Sequence, residues 1–260
     1  AQQVARLDPP APDGEVIYTV ENPYKPTGGL RVLGGNLSPE FSAVLKLAGV
    51  EGGLEDNVFV GKARIFDSES DLLQSLENEP QIFGNHDMVI VRYEGPSGAP
   101  GMPEMLDSTS RITTLCREKN IIVGLMTDAR FSGGSVGLVI GHVGPEAALG
   151  GPIAFLEDGD EIVVDLNANE LNCTELSDAA TVAERKTAWQ KIVAANGGMH
   201  HSVGIADTRL LNRMRRSAVS AIYGAGMHPD RELWINEPRE PVKTTFIPTN
   251  KFRAASGKAF

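Results

Sequence analysis

The chain has 260 residues, 41% of them hydrophobic and 22% charged, which is enough to bury a sizeable core and ordinary for a globular protein. A formal net charge of -10 argues against a nucleic-acid partner, because phosphate binding needs a basic surface. No stretch approaches the roughly 18 consecutive apolar residues of a membrane span, and the start AQQVARLDPP has neither the basic residues nor the apolar run of an export signal, so an unexported, cytoplasmic protein is expected.

Residues 1–29 read as a linker and N-terminal extension, rich in proline and polar residues, with residues 16–20 as a short strand or extended segment. Residues 30–33 predict a strand. Residues 38–47 predict a helix, with Ser38 as cap, Pro39 at its first position and Glu40 beside it. Residues 58–66 alternate loosely as a strand, and SESDLLQSL over 68–76 predicts a helix capped by its first serine. Residues 88–91 and 121–127 predict short buried strands with a helix over 108–119 between them. Residues 137–143 read as a strand or the start of a buried helix, and residues 145–149 as a short helix closing on Gly150. Residues 157–160 (EDGD) suit a tight turn ahead of a strand over 161–166.

Short strands separated by helices and glycine-rich turns predict an α/β domain over residues 30–177, with a mixed, strongly curved, barrel-like sheet. Residues 178–260 predict a helical segment, over 180–195 and 207–221, followed by an extended arm from Pro229. The basic cluster Arg213, Arg215 and Arg216 reads as a solvated helix face or as an interface or anion contact.

Residues 92–152 carry more glycine and proline than a packed helix or strand tolerates, as RYEGPSGAPGMPEM and TDARFSGGSVGLVIGHVGPEAALGGP show. Such a segment brings backbone close to a ligand. Glu104, in the proline-braced PGMPEM, is either a hard oxygen ligand suited to magnesium or a cap for the next helix. Ser132, ahead of Gly133 and Gly134, is either a turn cap or a hydroxyl whose negative charge surrounding donors make affordable. Arg130 either pairs with Asp128 to brace this loop or contacts a substrate carboxylate, and His142 is a pocket residue or a satisfied core histidine. His200 and His201 lie in a glycine-rich loop, GGMHHSVG; adjacent histidines cannot share a helical face, so a metal site made by these two alone is not expected. Cys116 and Cys173, the only cysteines, exclude a disulfide framework and a self-contained iron-sulfur site; Cys116 reads as a small buried hydrophobe.

Four motifs in order, GNLSPEFSAVLKLAG from Gly35, RYEGPSGAPGMPEM, TDARFSGG and GHVGPEAALGGPIAFLEDGD, resemble the C-terminal half of the dihydroxy-acid and phosphogluconate dehydratase family over roughly residues 22–167. The resemblance implies a hydro-lyase that turns a 2,3-dihydroxy or aldonic acid into a 2-keto-3-deoxy product with magnesium and an iron-sulfur cluster. It implies Glu104 as a magnesium ligand, Ser132 as the alkoxide base at C2, and Gly133 and Gly134 beside the substrate. It also implies cluster cysteines in an N-terminal domain with no counterpart here, and the start at Ala1 without methionine leads us to expect a fragment, a processed product or an excised domain. A small hydroxy acid, that missing domain and further copies of the chain in a homo-oligomer are the expected partners. An aldonic acid such as a pentonate is the expected substrate; the alternatives are the branched-chain dihydroxy-acid enzyme and a noncatalytic assembly module.

Overall fold

The computed structural model describes residues 11–24, 28–46, 53–203 and 209–228. One compact unit spans Gly29–Glu237. Its eight strands are β1 (Leu30–Leu33), β2 (Ala43–Lys46), β3 (Val58–Phe66), β4 (Asp87–Val91), β5 (Val123–Thr127), β6 (Val139–Gly141), β7 (Glu161–Asp165) and β8 (Glu170–Cys173). They form a single mixed sheet in the order β1-β2-β6-β5-β4-β3-β7-β8, in which β3, β4, β5 and β6 run parallel and the flanking hairpins antiparallel.

The sheet curls until its ends meet. Gly34 N donates to Asn169 O at 2.9 Å, and Leu171 N returns to Gly34 O at 2.7 Å, a bridge that nearly closes a barrel. Gly35 sits at the join with φ 109°, and a Cβ there would lie 2.5 Å from Leu171 O, so only glycine lets the two chains come this close.

Both faces of the central strands are covered, which explains the unbroken apolar runs. Met88 and Ile90 of β4 join Leu33, Phe59, Met126, Ile140 and Val164 inside the barrel. Val89 and Val91 point the other way, onto a second core with Leu72 and Leu76 of α1 (Glu69–Asn78) and Ile112 and Leu115 of α2 (Leu106–Lys119). As expected, Ser68 caps α1, its Oγ accepting from Asp71 N at 3.1 Å. Helix α3 (Ala179–Ala195) is capped by Asp178 and fastened by Arg185, which grips Asp160 with bonds of 2.6 and 3.0 Å. Helix α4 (Arg209–Ser217) follows.

Several expectations are corrected. Ser38 is buried and its Oγ does accept backbone amides, from Ser42 and Ala43 at 3.0 Å each, but these cap a turn. Phe41 then takes φ 52°, and Ala43–Lys46 becomes β2 because β1 and β6 offer ladders on both sides. Leu47, the last residue of the expected helix, lies outside the described residues. In the N-terminal segment, residues 16–20 form no strand: Asp13 Oδ1 accepts from the amides of Glu15, Val16 and Ile17, which curls the backbone into turns. Arg215 is buried rather than solvated, its Nε donating to Gly98 O at 2.8 Å, while Arg213 and Arg216 are exposed. Strand β8, ELNC, was not anticipated. The expected arm from Pro229 lies outside the described residues.

Candidate functional site

Because β3, β4, β5 and β6 are parallel, the segments that leave them start at one end of the barrel. Asp67 follows β3, the Arg92 to Met105 loop follows β4, Asp128 follows β5 and His142 follows β6. This end collects most of the residues singled out by the glycine-rich stretch.

The loop after β4 is held in unusual backbone conformations. Tyr93, Met102 and Met105 all have left-handed φ, at 67°, 49° and 52°, and such strain in non-glycine residues gathers at functional sites. Two of these residues bracket Glu104. Its half-exposed carboxylate lies 3.1 Å from Arg130 Nη1, while Arg130 Nε donates to Met102 O at 3.1 Å. Arg130 therefore ties the Glu104 loop to the segment after β5, and Glu104 does not cap α2, whose first turn begins without a side-chain cap.

Arg130 and Asp128 do not pair. Asp128 is fully buried and accepts backbone N–H groups from Tyr93 (3.1 Å), Glu94 (3.0 Å) and Ala147 (2.9 Å), so one carboxyl group knits the loops after β4, β5 and β6 together. Burial pushes this carboxyl up to about 7; the Ala147 amide works against the shift and the Glu146 charge adds to it. Glu146 is itself buried, with Oε2 bonded to the Ser220 hydroxyl and Oε1 without a partner among the described residues.

Further along the same crossover, Ser132 Oγ accepts from Gly134 N at 3.2 Å, and Ser135 N donates to Ser132 O at 3.3 Å. Lys46, at the end of β2, drives its ammonium group into this turn, donating to the carbonyls of Ser132 (3.3 Å), Gly133 and Ser135 (2.7 Å). Gly133 and Gly134 are exposed, and a Cβ on either would meet no backbone, so packing does not demand glycine there. Glu104 and Ser132 make no direct bond among the described residues; the link between their loops is Arg130.

His142 is no core residue. It sits half-buried at φ 56° just past β6, and burial together with the Arg130 charge holds its imidazole below the usual range. It lines a groove of about 400 Å3 with Phe41, Ser42 and Ile222. A larger groove of about 630 Å3, beside Cys116 and Val136, touches neither Glu104 nor Ser132. Lys46 is not legible as a site residue because residues 38–47 read as a helix in the sequence, and His142 is legible only as the first polar residue after an apolar run.

The residues fit the two expected inorganic groups unequally. Glu104 offers an accessible hard oxygen, which suits one position on magnesium. The cysteines do not fit a cluster: half-buried Cys116 is on α2 in the outer core, and buried Cys173 is on β8 in the barrel.

The barrel with its loops at the C-terminal ends of parallel strands defines a site-bearing α/β domain, and comparison with known proteins says of which kind. The family model described as "Dihydroxy-acid/6-phosphogluconate dehydratase C-terminal" matches residues 15–225, and the chain belongs to that family. It is 44% identical over 192 residues to dihydroxy-acid dehydratase 1 of Nocardia farcinica (strain IFM 10152), covering 74% of this chain and 32% of that protein. It is 43% identical to the dihydroxy-acid dehydratase of Arthrobacter sp. (strain FB24), covering 75% and 32%, and 47% identical to that of Mycobacterium leprae (strain TN), covering 64% and 28%. The chain thus spans about a third of the length of the curated relatives it matches. Among the described residues no helix is long and apolar enough to cross a membrane.

Proposed function

We propose that this chain supplies the C-terminal part of a dihydroxy-acid dehydratase, a hydro-lyase that removes water from a 2,3-dihydroxy acid. The relatives carry that name, which favours the branched-chain substrate class over the aldonic acids first expected. Nothing in the comparisons supports a pentonate.

The observation that carries the reading is the Ser132 turn. A serine hydroxyl is far too weakly acidic to take a proton from C2 unless its anion is stabilised. Here Gly134 N–H already points at Oγ, and the Lys46 ammonium lies against the carbonyls of the same turn. As the alkoxide, Ser132 Oγ takes the C2 proton, the C2–H electron pair forms the C2–C3 double bond and the C3–O bond breaks to expel hydroxide; the hydroxide takes up the proton that Ser132 gained, leaving as water and restoring the alkoxide, and the enol product tautomerises to the 2-keto acid. Gly133 and Gly134, without side chains, let the substrate approach the turn. Glu104 would hold a magnesium ion, which when bound supplies positive charge for the substrate carboxylate and C2 oxygen. Arg130 keeps the Glu104 carboxylate in place. An iron-sulfur cluster would take its thiolates from outside this chain, in the part of the protein that the relatives have and this chain does not cover.

Substrate profiling of the complete enzyme tests the proposal. Turnover of 2,3-dihydroxy-isovalerate without turnover of pentonates is expected; the reverse result refutes the substrate class, and no dehydration of either leaves the assembly-module reading standing instead.

A further inference from the structure

His200 and His201 do not lie on a helix. They occupy the turn after α3, beyond Gly197 and Gly198, and their rings stack on one another with centroids 4.4 Å apart and 27° between planes. Their place in a glycine-rich loop is as the sequence suggests, and their ligand nitrogens lie within 4.8 Å of one another. His200 is buried, and its ring also stacks on Tyr93 at 4.5 Å and 8°. Asp67, at the end of β3, completes the group: one ligand atom from each of Asp67, His200 and His201 lies within 4.8 Å of the others.

We infer that Asp67, His200 and His201 form a binding site for a divalent transition-metal ion of the zinc type, distinct from the magnesium position proposed at Glu104. Two imidazole nitrogens and one carboxylate oxygen are a donor set that suits zinc, cobalt or nickel and is too soft for magnesium. Two of the donors already converge. Ser202 N donates to His200 Nδ1 at 3.2 Å, and Ser202 Oγ donates to Asp67 Oδ2 at 2.8 Å, so a single residue caps the lone pairs that a cation would take over. Arg92 Nε holds the other oxygen, Oδ1, at 2.5 Å and fixes the carboxylate, as outer partners of metal ligands do.

Zinc-nitrogen bonds of about 2.0–2.1 Å in tetrahedral geometry bring ligand atoms to about 3.4 Å from one another, and the three atoms here already lie within 4.8 Å. Any adjustment on binding falls to His201, which is exposed and follows two glycines whose surroundings are empty. Its exposure also leaves room for water in a fourth position. A bound ion would fasten the turn after α3 to the end of β3 and stabilise the fold by mass action.

Calorimetric titration of the tag-free 260-residue chain with zinc chloride tests the site. One equivalent is expected to bind and to resist displacement by excess magnesium chloride. Cobalt chloride is expected to give a visible ligand-field absorption. His201→Ala, which removes an exposed side chain and leaves the core alone, should weaken zinc binding at least tenfold and abolish the cobalt spectrum; Asp67→Asn should weaken binding likewise. Absence of saturable binding, or wild-type affinity in His201→Ala, overturns the inference, because any ion then held would sit elsewhere, as at Asp160, Cys173 and Glu175.

Discussion

The guanidinium of Arg130 lies 3.1 Å from the carboxylate of Glu104, joining a loop that leaves β4 to one that leaves β5. Both side chains are about half exposed, so the pair adds little to folding. Its value is positional. Arg130→Leu is expected to change stability by no more than about 1 kcal/mol while lowering kcat/KM of the complete enzyme at least tenfold, and Glu104→Gln to weaken magnesium retention. Melting curves, steady-state kinetics and metal analysis check these together; undiminished kcat/KM in Arg130→Leu would remove it as a positioning residue.

Ser132→Ala removes the oxygen proposed to take the proton and nothing that packs, since among the described residues the hydroxyl bonds only Gly134 N. Turnover should fall by about three orders of magnitude or more, with substrate binding retained. Activity near that of the parent enzyme would end the proposed role for this serine.

Lys46→Met deletes the cation that clasps the Ser132 turn but keeps the aliphatic stem. Amide exchange at Gly134 and Ser135 should accelerate severalfold, with β4 and β5 unaffected. Equal exchange rates in the variant would show that the turn holds its shape unaided.

Asp128 gives a pH signature with a definite sign. Its carboxyl binds a proton up to about pH 7 in the fold but only to about 3.8 when unfolded. Between those values the folded state holds the extra proton, so stability is greatest below the lower value, falls as pH rises towards 7 and is level above it. The decline is at most about 4 kcal/mol. Asparagine resembles the neutral acid, and Asp128→Asn should flatten this part of the curve. Urea midpoints from pH 4.5 to 8 provide the measurement; parallel curves for the two proteins would contradict it.

Much of the architecture was legible because local signals and tertiary needs agreed. Apolar runs marked β3, β4, β5 and β7, and Ser68 with Leu72 and Leu76 marked α1. Strand β2 was not legible, since Ser38-Pro39-Glu40 imitates a helix start and only the partners β1 and β6 decide otherwise. Strand β8 reads as polar, and pairing with β7 makes it a strand.

The site followed the same division. Glycine and proline marked the loops with unusual backbone, and so singled out Glu104 and Ser132 as candidates. They could not show that Arg130 turns away from Asp128 to Glu104, or that Lys46 reaches the Ser132 turn, because those meetings depend on how strands are ordered in the sheet. Asp128 reads in the sequence as a partner for Arg130 that braces the loop, whereas in the fold three loops converge on its carboxyl group.

The join at Gly34 has a mechanical meaning. Along it the two outer hairpins are joined by backbone bonds at Gly34 and Leu37 and by side-chain bonds from Arg31 and Asn36, without a continuous ladder, whereas β4 and β5 are laddered on both sides and buried on both faces. Thermal opening is therefore expected to begin as an unzipping at this seam, splaying β1 from β8 and exposing barrel interior before the strands that carry the Glu104 and Ser132 loops lose their order.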